Sequence, residues 1–180
     1  MANCASLTGI SKSCDNNMGG IRGVWIFDME DVATLTPNTT TWEIDEITLS
    51  GSPIVLPVAF EFTRNSSNFT EENPIDLVNG SSYITATLNL MFSRREAAKS
   101  KSIKVLGEGQ RYLGALTLDS NGIYWLFTEL QLSNVAEGSG TARADGSKYA
   151  VTLMGETANF AMIVDTADAE LFIATGSTEP

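Results

Sequence analysis

The side chains that could carry out nucleophilic or metal chemistry in this sequence are few. Histidine is absent from the 180 residues, which excludes Ser-His-Asp and Cys-His arrangements as well as histidine metal ligands. The two cysteines, Cys4 and Cys14, cannot complete a structural zinc site by themselves. We interpret them as two reduced thiols of a cytosolic product, with a disulfide bridge between them as the alternative.

Acidic residues offer a second kind of chemistry, because paired carboxylates can act as a general acid and a nucleophile. The pairs Asp28/Glu30 and Glu43/Asp45 are each two residues apart on predicted strands. In a chain with 22 acidic residues, this spacing is more typical of solvent-facing strand positions than of a glycosidase pair. We therefore assign these carboxylates no catalytic role.

Two short segments resemble ligand-binding loops. Asp119-Ser120-Asn121-Gly122 is similar to the beginning of a calcium loop, but Leu130 stands where an EF-hand requires its bidentate glutamate, so we predict a hairpin turn. Gly107-Glu108-Gly109 lacks the spacing of a phosphate-binding or dinucleotide-binding loop. The sequence thus predicts a protein that is not an enzyme, with no catalytic residues, no cofactor and no metal site.

The most regular element that the sequence predicts is a strand over Ser81–Phe92, where apolar and polar residues alternate strictly. Asn121-Gly122 and Asp145-Gly146 are hairpin signals in the following part of the chain. These patterns predict a mainly β protein, an antiparallel β-sandwich or barrel with one flanking α-helix over about residues 94–106. The last strand candidates are Phe160–Val164 and Leu171–Ala174.

The flanking helix is predicted from its start and stop signals. Ser93 and Glu96 have the spacing of a capping box, and Gly107 is a suitable left-handed residue for the end. This places Arg94 and Arg95 in the first turn, where the helix dipole disfavours cations. A weak apolar stripe is expected to face the sandwich, and it consists of Ala98, Ser102, Val105 and Leu106.

We expect residues 1–180 to form a single domain with an irregular N-terminal arm (residues 1–20) and a long loop (residues 64–82). The loop is polar, contains a tight-turn signal at Asn79-Gly80, and connects two well-patterned strands. It could be a mobile surface loop or an arm onto a neighbouring copy. The residues proposed for such an interface are Asn65, Asn68, Phe69, Glu71 and Glu72.

Charge is distributed unevenly along the chain. The formal net charge is −11, yet six of the eleven basic residues lie between Arg94 and Arg111. An acidic chain is poorly suited to gripping DNA or anionic lipid, whereas a positive edge can meet a negative edge of another copy. We therefore place Arg94, Lys101 and Lys104 at a candidate subunit interface, with a solvated helix face as the alternative.

The order of strand, capped helix, strand, Asn-Gly hairpin, Gly-rich loop and Asp-Gly hairpin resembles the tail tube proteins of bacteriophages, which group with the tube proteins of type VI secretion and of pyocins. The similarity includes tail-tube-like proteins from phages of Bacteroidetes hosts. Its motifs are structural, span most of the chain, and comprise Gly9–Cys14, Gly19–Ile21, Tyr112–Ala115, Gly122–Leu126, Asp145–Tyr149 and Val151–Glu156.

This resemblance implies a tail-tube-like β-sandwich that assembles into hexameric rings stacked as a tube. Short-tailed relatives, including crAss-like phages, use similar subunits in neck or collar rings, which are often dodecameric. The implied partners are further copies of the chain, other tail or neck proteins, and genomic DNA passing through the lumen without specific binding, with no membrane. The implied location is the virion, after synthesis in the cytoplasm of the bacterial host.

A binding module is the alternative function. A β-sandwich of this composition could recognise a receptor or a carbohydrate on a phage fibre or surface. Exposed Trp42 and Trp125 lying side by side would favour this alternative, because aromatic faces are suited to ligand contact. Contacts from edge to edge between copies would favour ring assembly instead.

Overall fold

The structure is a computed structural model that describes residues 9–178, and it is mainly β, as predicted. Residues 9–20 form no helix or strand and are exposed, which agrees with the expected irregular arm; residues 1–8, including Cys4, lie outside the described residues. The strands are β1 (Ile21–Asp28), β2 (Val32–Asn38), β3 (Glu43–Leu49), β4 (Val58–Ala59), β5 (Asn68–Glu72), β6 (Ile75–Asp76), β7 (Ser81–Ser82), β8 (Ile84–Ser93), β9 (Leu113–Asp119), β10 (Tyr124–Gly138), β11 (Lys148–Thr157) and β12 (Met162–Val164), and the helices are α1 (Ala97–Leu106) and α2 (Thr166–Thr175).

The long strand β10 joins the two halves of the main sheet. Its first half pairs with β9 on one edge and β12 on the other, and its second half pairs with β11. The strand order is β2-β3-β12-β10-β11-β8-β5, with β9, β1 and β4 extending from the first half of β10. The sheet is open and does not close, so the barrel alternative is wrong. The short parallel pairing of β3 with β12 makes the sheet mixed.

A bulge bends β10 between its two halves. Glu129 has a φ of +57°, and the register with β9 shifts between Phe127 and Leu130. Gly155 of β11 lies directly against this bulge, because a Cβ atom there would be 2.7 Å from the Glu129 carbonyl oxygen. The bend therefore depends on backbone packing against backbone, which a glycine permits.

The main core lies between the two halves of the bent sheet. Buried residues of β1, β9 and β10 pack with buried residues of β8 and β11 in one cluster. Aromatic rings connect the halves, since Phe69 of β5 lies 5.0 Å from Phe127 and 6.3 Å from Trp125 between ring centroids. Helix α1 contributes Ile103 and Leu106 to the same cluster. This arrangement is the sandwich that the alternating strands predict.

A second core forms where α2 covers the other face of the sheet. Phe172 and Ala169 are fully buried there, and the Phe172 ring meets Phe27 edge to face at 5.3 Å. The predicted strand Leu171–Ala174 is therefore wrong, because these residues belong to α2. The helix is defined by its caps: Asp165 accepts a hydrogen bond from the N–H of Ala167, and Gly176 ends it with a φ of +80°.

Strand β8 confirms the predicted alternation from Ile84 to Phe92, where its residues are alternately buried and half-buried. The predicted start at Ser81 is wrong, because Ser81–Ser82 form the separate strand β7, which pairs with β6. The capping box after it is wrong. The N-cap of α1 is Glu96, and no side chain caps the helix. The N–H groups of Arg94 and Arg95 donate instead to the carbonyl and hydroxyl oxygens of Ser147, which holds both arginines outside the first turn.

The buried face and the end of α1 also differ from expectation. Ile103 and Leu106 face the core, whereas Val105 of the predicted apolar stripe is exposed. Gly107 does end the helix, but with a right-handed φ of −96°. The left-handed conformation occurs two residues later, at Gly109.

The predicted long loop over residues 64–82 contains secondary structure. Strand β5 pairs with β8 throughout its length, from Asn68 opposite Asn89 to Glu72 opposite Thr85. Strands β6 and β7 then form a small separate hairpin. The reason is that Phe69 gains a place in the main core, which the mostly polar sequence around it conceals.

We expect Gly155→Ala to lower the free energy of unfolding by about 1–3 kcal/mol, because the added methyl group would collide with the Glu129 carbonyl. Urea denaturation measures this change. The matched control is Gly138→Ala in the adjacent strand, where a Cβ atom meets nothing closer than 3.9 Å and the change should stay within about 0.5 kcal/mol. Equal losses in the two variants would contradict the role assigned to the bend.

Candidate subunit interface

The basic residues predicted at an interface do not share one helical stripe. Arg94 precedes α1 with a φ of +59°, and its Nε lies 3.3 Å from Glu96. Lys104, in the last turn, lies 3.9 Å from Glu108. The side chains of Arg94 and Lys104 are 83% and 78% exposed, so each pair is weak, about 0–1 kcal/mol. Both cations remain accessible to acidic groups of another molecule.

Two neighbouring cations have a different role, which is to fix α1 to the sheet. Arg95 forms an ion pair with Glu137 at 3.0 Å and lies 5.9 Å from the centroid of the Tyr149 ring. Lys99 donates hydrogen bonds to the backbone carbonyl oxygens of Ser93, at 2.8 Å, and Arg94. The buried Tyr149 hydroxyl also contacts Ser100 of α1 at 2.6 Å. These contacts connect the helix to the sheet over the core.

A groove with a volume of about 670 Å³ lies between α1 and the chain leading into β4. One wall carries the exposed aliphatic side chains of Val55, Leu56 and Val58, and the other carries Val105. Lys101 lines the groove, and no acidic side chain among residues 9–178 lies within ion-pair distance of it. Asp28, Asp31 and Arg111 also line the groove, and Asp28 is paired with Arg111. The groove therefore combines apolar walls with charges of both signs.

The β6–β7 hairpin forms the most exposed apolar feature of the described chain outside residues 9–20. The side chains of Ile75, Leu77 and Val78 are 61%, 89% and 93% exposed. Asp76 stabilises the turn, since its carboxylate accepts hydrogen bonds from the N–H groups of Val78 and Asn79. The Asn79 backbone and side chain, with the Val78 N–H, hold the pKa of Asp76 below its ordinary value. The hairpin is thus internally ordered and apolar at its tip.

The residues predicted for an interface in this region have separate environments. Asn65, Asn68 and Glu72 are exposed, Glu71 is half-buried, and Phe69 packs in the main core. The exposed aliphatic residues of the hairpin, Ile75, Leu77 and Val78, were not among those predictions. The sequence signal that could have identified them is a group of three aliphatic residues just before the predicted Asn79-Gly80 turn. The structure confirms this turn, with a φ of +68° at Gly80.

Glu71 connects the base of this hairpin to the opposite half of the sandwich. Its carboxylate accepts a hydrogen bond of 2.7 Å from the N–H of Ala161, in the turn before β12. Burial raises the pKa of Glu71 above its ordinary value, and the bond from Ala161 opposes this shift only in part. The hairpin therefore projects from the edge strand β5, whose end is held by this hydrogen bond.

Two of the acidic residues considered for chemistry, Asp28 and Asp119, have structural roles. Asp28 forms an ion pair with Arg111 at 3.1 Å and accepts a bond from the N–H of Glu30. Asp119 accepts hydrogen bonds from the N–H groups of Asn121 and Ile123, at 2.8 and 2.9 Å, in the turn between β9 and β10. The hairpin predicted at residues 119–122 is thus confirmed.

The two tryptophans that could mark a binding face are not adjacent on the surface. Trp42 is half-buried against the core under α2, and Trp125 is half-buried against the main core. The Trp125 Nε1–H donates to Asp119 at 3.2 Å, which fixes the ring. Trp42 and Trp125 therefore do not form the exposed side-by-side pair that would favour a carbohydrate- or receptor-binding module.

Comparison with known proteins returns no family: no protein-family model matches the sequence, and no curated protein matches it. Within residues 9–178, no group of three or more cysteine, aspartate or glutamate side chains is arranged to hold a metal ion. Neither of the helices in the described part of the chain is long and apolar enough to cross a membrane.

We expect Glu71→Gln to keep the hydrogen bond from Ala161 and to remove a desolvated charge. A raised pKa in the folded state means that wild-type stability falls as pH rises from about the ordinary glutamate value through the folded-state pKa. At pH 7 the variant should therefore be more stable, by less than about 1 kcal/mol because the carboxylate is only half-buried.

Urea denaturation at pH 7 and at pH 4 tests this expectation. The difference between variant and wild type should be present at pH 7 and shrink at pH 4, where the wild-type carboxyl is largely protonated in both states. The matched control is Glu72→Gln at the exposed neighbouring position, which should change stability little at either pH. A Glu71→Gln variant that is less stable at pH 7 would show that the charge itself stabilises the fold.

Proposed function

We propose that this chain is a virion structural protein that self-assembles into rings, which form the tail tube or neck of a bacteriophage and give DNA a conduit. The observation that carries the self-assembly proposal is the β6–β7 hairpin, whose aliphatic side chains Ile75, Leu77 and Val78 are exposed to water. Contiguous exposed apolar side chains on a folded chain are typical of contact surfaces. The phage assignment rests on the resemblance of the sequence motifs.

The charge distribution supports assembly between copies. Residues 65–93 contain no lysine or arginine and include Glu71, Glu72 and Asp76, whereas six cations are concentrated between Arg94 and Arg111. Opposite charges on two different surfaces of one chain favour a head-to-tail arrangement, which closes into a ring when the rotation between neighbours permits. An acidic ring would also let DNA pass without adhering, because like charges repel.

The direct test is electron microscopy of the purified protein in negative stain, together with sedimentation velocity over a range of concentrations. We expect rings or short stacks of rings and a mass several times that of one 19.3 kDa chain. A protein that sediments as a monomer at every concentration and shows no rings would contradict the proposal. Discrete rings would support assembly but would leave their position in the virion to imaging of the phage particle.

Reversal of the exposed cations should prevent assembly while sparing the fold. We expect the triple variant Arg94→Glu, Lys101→Glu and Lys104→Glu to sediment as a monomer, because the acidic surface of a neighbour would then be repelled. Its melting temperature should change little, since the ion pairs of Arg94 and Lys104 are exposed and each contributes about 1 kcal/mol or less. Sedimentation and thermal melting measure the two effects.

The matched control changes the net charge equally at exposed cations elsewhere, in the triple variant Lys12→Glu, Arg22→Glu and Arg143→Glu. This variant should still assemble. Wild-type assembly should also weaken as salt rises, because salt screens the attraction between exposed charges, with a screening length of about 10 Å at 0.1 M. Assembly that is unaffected by both the first triple variant and molar salt would show that the basic residues only face solvent.

A further inference from the structure

We propose that the tip of the β6–β7 hairpin, formed by Ile75, Leu77 and Val78, docks into the groove between α1 and the chain leading into β4 of a second copy. This inference rests on the proposed self-assembly and names the two surfaces that meet. One contact would place an apolar tip between the apolar walls of the groove, and every copy offers both halves of the contact.

The two surfaces match in polarity. The tip exposes more than half of each of its three aliphatic side chains. The groove presents Val55, Leu56 and Val58 opposite Val105, all of them exposed in the isolated chain. Its volume of about 670 Å³ is large enough for several aliphatic side chains. Docking would remove both apolar surfaces from water at once, which supplies a driving force.

Helix α1 also brings cations close to the place where an acidic hairpin would dock. The hairpin and its flanking strands, residues 65–93, carry three acidic groups and no cation. The groove is lined by Lys101, which has no acidic partner within ion-pair distance in the described chain, by Asp31, and by Asp28 paired with Arg111. The weakly paired Lys104 lies outside the groove, one turn further along α1. An acidic hairpin that enters along α1 would be attracted by Lys101 and Lys104, an attraction that Asp31 of the groove opposes in part.

Their positions in the fold make the contact intermolecular. The hairpin ends at Ser82, just before one end of β8, and α1 begins at Ala97, just after the other end. Strand β8 has ten residues, so its two ends are on the order of 30 Å apart. The tip residues are exposed in the folded chain and so do not occupy their own groove. Joining different surfaces of identical copies gives a heterologous contact, which propagates into a ring or a stack.

Both surfaces are ordered before they meet, which lowers the entropic cost of association. In the hairpin, the turn is held by Asp76, and the Ser82 hydroxyl donates to the Asn73 side chain at 2.9 Å. On the groove side, α1 is held to the sheet by Tyr149 and by the ion pair of Arg95 with Glu137. Rigid-body docking of tip into groove is therefore sufficient.

The test uses two variants of the full chain that each disable one surface. The tip variant, Leu77→Ser with Val78→Ser, removes the apolar side chains without adding charge. The groove variant, Val105→Glu, places an acidic side chain where the acidic hairpin would arrive. The matched control is Met154→Ser, which shortens an exposed apolar side chain on β11, outside both surfaces. Each variant is checked by thermal melting, and Ser102→Trp, which fills the groove by volume, replaces the groove variant if α1 unfolds.

Sedimentation velocity then gives a specific pattern. The tip variant alone and the groove variant alone should associate at least about 100-fold more weakly than wild type, while Met154→Ser associates normally. An equimolar mixture of the two variants should form a dimer and nothing larger, because the intact tip of one can enter the intact groove of the other only once.

Three outcomes would overturn the inference. Variants that assemble like wild type, or a mixture that stays monomeric while wild type assembles, would show that copies meet through other surfaces, and self-assembly itself would stand. Wild-type protein that remains monomeric throughout would instead remove the proposed function together with this contact. The mixture therefore distinguishes failure of the docking inference from failure of self-assembly.

Discussion

The bend of β10 at Glu129 determines how the other strands of this protein are arranged. Because the strand changes direction there, its first half belongs to the layer that includes β9 and β1, and its second half to the layer that includes β11 and β8. Phe127 and Leu130, on either side of the bulge, both remain buried in the main core. The close approach of Gly155 to the bulge makes the bend compact, and the two layers can then face each other across a shared core.

The parts of the fold that could be predicted are those where one local pattern decides the outcome. Strand β8 is such a case, because one of its faces is buried along its whole length and its alternation is strict. The sequence predicts a strand where α2 lies, because Leu171–Ala174 is a short apolar run and periodicity cannot assign such a run to helix or strand. Its caps, Asp165 and Gly176, were the signals that could have corrected the assignment. Strand β5 could not be predicted, since its pairing depends on the distant β8 and on one core residue, Phe69.

The candidate interface was predictable in its charge but not in its shape. The concentration of cations around α1 can be read directly from the sequence. Which of them are engaged within the chain depends on Glu137, Tyr149 and the carbonyl groups before the helix, which only the fold brings near. The groove could not be foreseen at all, because Val55 and Val105 are distant in sequence and meet across it only through the packing of α1 beside β4.

Apolar contact and charge would have different tasks in an assembly of this chain. Copies carrying a net charge of −11 repel one another in most orientations, so an apolar tip alone would not select a particular neighbour or direction. The cations concentrated on and beside α1 would attract an acidic hairpin, and individually they contribute little energy. The aliphatic side chains of the tip would then supply most of the affinity, while the charges decide the orientation in which two copies meet. Since hairpin and helix lie at opposite ends of β8, the same preference would be repeated at every step of a ring or stack.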